Sequence, residues 1–296
     1  MHNALKQLII VAFALVFMAG AAFAQSNTTT LSQDGNDDAR LKQVNGSTAT
    51  ITQAQGANVV RGISDPIFNQ QGSDLTVTQA WGASNRLRGE QLGNNNTATV
   101  TQHNNSFAQV EQKGVRNEVS LQQYLAHEQR FYLEQKGDRN SVSFIQINGV
   151  NGSFADISQK GNRNVVDGLD AATTLGPSPY QWKATQRWGD QTLNLIQKND
   201  KNALYLFQGG SDDGSANGNN AAHLEQKNGS YGEVLQIGDN NQIRGVNSMM
   251  AISNSSTFFV SQTGAMNTLK FDQTSANNTL DVTQDGINNY SQVQQN

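Results

Sequence analysis

The chain has 296 residues, a formal charge of −4 and no cysteine, which excludes disulfide cross-links, thiolate catalysis and cysteine metal ligation and leaves charge too mild to name a partner. Its hydrophobic fraction, 36%, lies below the roughly 45–50% (glycine included) of globular domains. Asn and Gln, 35 and 33 residues, make up close to a quarter of it, so the chain is either disordered or held together by side-chain amides.

In chain order, the first expected element is a signal peptide at 1–24. Lys6 gives a positive start, 8–17 is an apolar run short for a membrane span, and Ala22-Phe23-Ala24 has the small-x-small form of a cleavage site. The mature chain is then 25–296.

From there a repeat takes over. Gln recurs at Gln33, Gln43 and Gln53, then at Gln79, Gln91, Gln102, Gln112, Gln123, Gln135, Gln146 and Gln159. It returns at Gln186, Gln197 and Gln208, at Gln226 and Gln236, and at Gln262, Gln273, Gln284 and Gln295. Two and four residues before each Gln the side chain is usually apolar or small, and six before it stands Asn or Ser, as in Asn96-Ala98-Val100-Gln102 and Asn117-Val119-Leu121-Gln123. Asn140, Asn202, Asn267, Asn278 and Asn289 hold the same place. A period of two puts these residues on one face of a strand.

After the Gln comes a turn. The form Q-x-G-x-x-N occurs seven times, with glycines at Gly93, Gly114, Gly137, Gly161, Gly238, Gly264 and Gly286, residues able to supply positive φ. Two strands and two turns make a coil of about 22 residues, and the chain reads as an all-β solenoid in which each coil pairs with the coil above and the coil below. Four stretches near 54–72, 165–185, 209–221 and 237–255 break the rhythm and are expected as loops thrown out of the coil.

A two-strand coil buries only a thin apolar strip, too little to offset the backbone entropy of ordering it. Amide ladders supply the remainder. A Gln or Asn at the same inward position of every coil donates to one neighbour and accepts from the other, whereas Glu or Asp there would stack like charges.

With those residues in place, the pattern S-x5-Q-x-G-x-x-N-x-A-x3-Q resembles the curlin repeat of curli amyloid subunits. Ser106-Gln112-Gly114-Asn117-Gln123 follows it, with Val119 where the family often has Ala. Pairings such as Asn96 with Ser106, Asn140 with Ser153 and Asn220 with Ser230 match the two unlike halves of that repeat. The stretches SMMAISNSSTFF and LDAATTLGPSPYQW depart from it. The resemblance implies a secreted subunit, carried by outer-membrane secretion and assembly machinery, that polymerises with itself and a second curlin-like subunit into extracellular fibres for biofilm matrix and adhesion.

Two features bear on mechanism. The motif runs from Asn27-Thr29-Leu31-Gln33 to Asn289-Ser291-Val293-Gln295, so both end coils are expected to be open and to join head to tail. Lys113, Lys136 and Lys160, with Arg116, Arg139 and Arg163, would form two stacked basic rows on one edge. These rows serve either to hold acidic polysaccharide, lipopolysaccharide or extracellular DNA, or simply as solvated turn charges that slow aggregation.

The rival reading is a monomeric solenoid binding ice or a glycan through T-x-T sets such as Thr48-Thr50-Thr52 and Thr97-Thr99-Thr101. These sets are not expected to recur on successive coils, and threonine favours strands in any case. An enzyme is the third class. His103, His127 and His223 have no ligand spacing, no catalytic set is evident, and no cofactor or metal is expected.

Overall fold

The computed structural model describes residues 26–34, 37–54, 57–62, 68–80, 85–103, 106–123, 130–147, 154–168, 184–187, 191–209 and 219–296. The expected signal peptide and His127 lie outside them, and so do the side chains of His103, Gln146 and Gln186. Among the described residues every regular element is a strand, and the strands pair in parallel into two sheets. No helix there is long and apolar enough to cross a membrane.

Strand formation follows from the alternation. Phe107–Lys113 and Arg130–Lys136 bury every second residue, as a two-sided strand requires. Turns follow from residues that tolerate positive φ, chiefly the motif glycines and Asn45, Asn95, Asn240 and Asn288.

The chain alternates between the sheets. One sheet runs from Thr28–Asp34 through Thr48–Ala54, Asp74–Ala80, Thr97–His103, Glu118–Gln123 and Ser141–Ile147, and on to Thr279–Ile287. The other runs from Leu41–Val44 through Phe68–Gln71, Arg86–Leu92, Phe107–Lys113, Arg130–Lys136 and Phe154–Lys160, and ends at Tyr290–Gln295. Neighbours within a sheet therefore come from successive coils, and the molecule is a β-solenoid. The path of the first sheet counts eleven such levels among the described residues.

Register holds while coil length varies. Equivalent glutamines are 20 residues apart at one step and 38 at another, yet Gln pairs with Gln at both. A slip of one residue would turn the buried row outward. The extra length is absorbed between or within strands.

Three of the four irregular stretches are thus corrected. Val59–Arg61 and Phe68–Gln71 lie in the second sheet, and Phe68 is wholly buried. Val165–Gly168 and Ala184–Arg187 share one strand's place beside Ser141–Ile147. Gln242–Arg244 and Ala251–Asn254 do the same beside Ala221–Lys227. In each, two segments separated along the chain share one strand's place, which hides the period-two pattern. Within 209–221, residues 210–218 lie outside the described set.

The core is one continuous strip between the sheets, from Ala49 and Ile51 to Phe271 and Leu280. Phenylalanines meet across it in pairs, Phe131 with Phe144 at 5.3 Å and Phe258 with Phe271 at 5.1 Å between ring centroids. Glycine makes the room. A Cβ on Gly232 would lie 2.1 Å from the Phe258 ring. Gly232→Ala is expected to destabilise the fold by about 1–3 kcal/mol through overpacking, and adding Phe258→Leu to recover part of that loss. Urea unfolding followed by far-UV circular dichroism measures both.

Candidate functional site

The site is the pair of end coils, and the amide rows that run between them define its chemistry. In the first sheet Gln33 Nε2 donates to Gln53 Oε1 at 2.8 Å, Gln53 to Gln79 at 2.8 Å, Gln79 to Gln102 at 2.7 Å and Gln102 to Gln123 at 3.1 Å. The row resumes from Gln208 through Gln236 and Gln262 to Gln284, each step at 2.7 Å. Between them, Gln146 and Gln186 are in register on the backbone. In the second sheet Gln43 donates to Gln70, and the row continues through Gln91, Gln112, Gln135, Gln159 and Gln197 to Gln226 at 2.7–3.3 Å. Gln273 donates to Gln295 at 2.9 Å.

Most buried glutamines do a second task. The Nε2 of Gln112 also donates to Thr97 O at 3.2 Å, that of Gln159 to Ser141 O at 3.2 Å and that of Gln226 to Ala203 O at 2.8 Å. The amide thus ties the end of its strand to the beginning of the strand before it in the chain. At Gln112 and Gln159 both hydrogens are thereby satisfied in a dry interior, where an orphaned donor costs about 1–3 kcal/mol.

Asparagine works the strand starts, in the opposite direction. Asn96 Oδ1 accepts from the backbone N–H of Asn117 at 3.0 Å and from its Nδ2 at 3.2 Å. The same pair of bonds links Asn117 to Asn140, Asn140 to Asn164 and Asn164 to Asn202. On the other edge Asn241, Asn267 and Asn289 each donate a backbone N–H to the asparagine one coil back. Asn278 takes its place above Ser256, whose hydroxyl accepts its N–H at 3.2 Å. Glutamines therefore donate toward the C-terminal coil and asparagine backbone N–H groups toward the N-terminal one, while Nδ2 of Asn96, Asn117, Asn140, Asn241 and Asn267 also donates to a glycine carbonyl of the next coil at 2.8–3.1 Å.

Glycine lets the turns stack. Gly93, Gly114, Gly137, Gly161, Gly238, Gly264 and Gly286 all have φ between 101° and 121°. A Cβ on any of the first six would lie 2.0–2.2 Å from a carbonyl oxygen of the next coil. Gly286 sits on the last coil, and a Cβ there would meet only Asn289 Nδ2, at 3.7 Å.

Several ladder members escaped the sequence reading. Asn164 and Asn241 close the Q-x-G-x-x-N motifs of Gln159 and Gln236, and Asn85 stands six residues before Gln91, so the signal was present. Gln70 and Asn58 were hidden by the interrupted strand. The second-sheet row also breaks once: Ser253 pairs with Gln226, and its hydroxyl donates to Gln273 Oε1 at 3.2 Å. Buried Asp272 accepts the N–H of Val246 at 3.1 Å and of Ile252 at 3.3 Å, closing the excursion there.

The end coils leave this chemistry incomplete. Among the described residues nothing pairs with the outer edge of Thr28–Asp34, and inward-pointing Leu31 is 48% exposed. Gln33 Oε1 accepts from no other amide there, while Gln43 Oε1 accepts from Thr29 Oγ1. Asp37 Oδ2 is buried without a partner. At the far end Gln284 Nε2 donates to Thr268 O at 3.1 Å and to Ser291 Oγ at 3.2 Å, and Gln295 Nε2 to Thr279 O at 3.1 Å, neither to a glutamine. Tyr290 and Ile287 are exposed beside them.

The two basic rows differ from expectation. Lys113 pairs with Glu111 and Glu90, Lys136 and Lys160 both pair with Glu134, and Lys198 and Lys227 both pair with Glu225. Lysine stacks on lysine and glutamate on glutamate, and the two rows run side by side and neutralise each other across the gap. Arg116, Arg139 and Arg163 make no ion pair among the described residues. Outside the coil, aromatic rings also stack: Phe107, Tyr132 and Phe154 at 5.5 and 5.8 Å, and Tyr205, Tyr231 and Phe259 at 5.6 and 6.0 Å. No cluster of His, Asp and Glu suited to a metal occurs among the described residues. No protein-family model matches the chain, and no curated protein does.

Two predictions follow from the buried and paired groups. Gln135→Glu places a carboxylate between two amides at zero exposure and is expected to cost about 3–5 kcal/mol at neutral pH, against about 1–3 for Gln135→Leu, by urea unfolding. For Glu225, burial raises the pKa, but hydrogen bonds from Lys198 and Lys227 outweigh it and hold the carboxylate below its usual range. Glu134 behaves alike, burial being overcome by Lys136 and Lys160. A depressed folded-state pKa gives stability above the ordinary carboxylate range that is lost as pH falls through the folded value. Between about pH 5 and pH 3, Glu134→Gln/Glu225→Gln should lose less stability than the parent chain.

Proposed function

We propose that the chain is a secreted structural subunit of a curli-like extracellular amyloid fibre. It polymerises by stacking the C-terminal coil of one copy on the N-terminal coil of the next, in the service of biofilm matrix and surface adhesion. The observation that carries this reading is the complementarity of the two end coils. One end offers Gln295 Nε2 as an amide donor, and Gln284 Nε2 once it exchanges the Ser291 hydroxyl for an amide, and the other offers Gln33 Oε1 as an acceptor. For the asparagine backbone N–H groups the polarity is reversed, and it again matches donor to acceptor across the junction. Gly286 supports the same conclusion: a methyl there has space within one chain, but it would meet the carbonyl of a coil stacked above, as at Gly264. Such a contact is heterologous and does not close, so it generates a filament. The inferred partners are further copies, a second curlin-like subunit that starts the fibre, and the outer-membrane machinery that exports it.

A second reading has an observation of its own. Strand register overturns the expectation that T-x-T sets fail to recur. Thr30, Thr50, Thr76 and Thr99 stand in line on four successive coils, and so do Ser32, Thr52, Thr78 and Thr101. This uncharged hydroxyl-and-methyl lattice suits a monomeric module that binds ice or a crystalline glycan.

Electron microscopy and Congo red binding of purified 25–296 at neutral pH separate the two. Fibres giving a meridional reflection near 4.8 Å are expected, with growth slowed on the order of tenfold or more by Gln284→Glu/Gln295→Glu. The outward-facing pair Gln292→Glu/Gln294→Glu on the same coil should leave growth nearly unchanged. A particle that stays single at high concentration and shows thermal hysteresis would favour the threonine lattice instead.

A further inference from the structure

The turn leading from the second sheet to the first stacks Asn95, Arg116, Arg139, Arg163 and Lys201 in equivalent places, all with φ between 59° and 64°. The turns are bonded to one another as the strands are. Arg116 N–H donates to Asn94 O at 3.1 Å, Arg139 to Val115 O at 2.9 Å, Arg163 to Asp138 O at 3.0 Å and Lys201 to Asn162 O at 2.9 Å. Four cations therefore stand in single file, one per strand spacing of about 4.8 Å.

Local preference does not explain them. Left-handed backbone suits Asn and Gly and costs a residue with a longer side chain about 1 kcal/mol or more. Elsewhere this chain mostly puts Asn at such positions, as at Asn45, Asn228, Asn240 and Asn288, with Ser255 and Met266 as exceptions. Here it places Arg or Lys four times in succession. Ion pairing does not explain them either, because the glutamates of the adjacent strands are engaged by the lysine row. Stacked cations repel one another, so an external anion is the group that relieves the arrangement.

The file borders an open groove of about 400 Å³ that also contains Asp138 and Asp200. Asp138 Oδ1 accepts the N–H of Val115 at 2.9 Å, and Asp200 Oδ1 that of Asn162 at 2.7 Å. The second oxygen of each remains an acceptor beside the cations. A ligand for this groove needs regularly spaced anionic groups and, between them, hydrogen-bond donors.

We infer that the groove binds a linear polyuronate, an acidic polysaccharide with one carboxylate per sugar. Its carboxylates lie on Arg116, Arg139, Arg163 and Lys201, where guanidinium forks match carboxylate oxygens, and its hydroxyls donate to Asp138 and Asp200. Duplex DNA fits less well, since its phosphates only accept and would meet both aspartates with like charge. The groove is complete within one chain, so the proposal stands apart from polymerisation.

The test is calorimetric binding of oligogalacturonate to freshly prepared, unpolymerised 25–296 at low salt. Replacing all four cations by Asn (Arg116→Asn, Arg139→Asn, Arg163→Asn, Lys201→Asn) is expected to weaken binding on the order of tenfold or more. Asn suits the turn, so the thermal midpoint should not fall. Arg139→Asn alone should give a partial loss, which keeps the test readable if the fourfold variant misfolds. A charge-matched control, Arg86→Gln/Arg88→Gln/Arg244→Gln/Lys270→Gln, should change affinity by less than about threefold. Unchanged binding in the turn variants, an equal loss in the control, or duplex DNA bound as tightly through the same four residues would each overturn the assignment.

Discussion

The structure depends on one interaction: a primary amide that donates to its own kind one strand spacing away. A carboxamide carries donor and acceptor on one rigid plane, so a column of identical residues satisfies itself without any second residue type. Hydroxyls do this more weakly and carboxylates cannot. The apolar strip beside the columns is only a few side chains wide in each coil, and the ladders set the spacing at which those side chains meet.

From that constraint the remaining features follow in order. Stacking at strand distance requires turns no thicker than strands, which places glycine where a carbonyl of the next coil lies about 2 Å from any Cβ. It requires that charge on the outside be neutralised, which the Glu and Lys rows achieve between Glu90 and Lys227. It also allows length to be inserted wherever the chain leaves the sheet, because register is set by side-chain identity and not by loop length. That is why 38 residues separate Gln159 from Gln197 and the two still meet at 2.7 Å.

What was legible in the sequence was whatever repeats locally. The glutamine rows, the turn glycines and most of the asparagines could be placed because two short strands and two short turns keep a nearly constant period. Legibility failed where an excursion splits a strand, as around Phe68 and Gln70, since neither alternation nor spacing survives the interruption. It failed again for relationships between coils. Glu90 and Lys113 are far apart along the chain but meet at 3.6 Å. The threonine ranks align only because successive coils of unequal length, 20, 26 and 23 residues, keep their glutamines paired. The two basic rows looked alike in sequence, and only the placement of acidic neighbours distinguishes the zipped row from the bare one.

The contrary sense of the two amide columns has an electrostatic result. Aligned peptide units in an α-helix add their dipoles until the ends carry partial charges of about half an electron. Here the glutamine amides donate one way along the axis and the asparagine backbone N–H groups the other, with asparagine Nδ2 reaching both neighbouring coils, while the backbone bonds of a sheet contribute little net moment. The opposed bonds offset one another in part, so each added coil contributes less axial moment than a glutamine row alone would give.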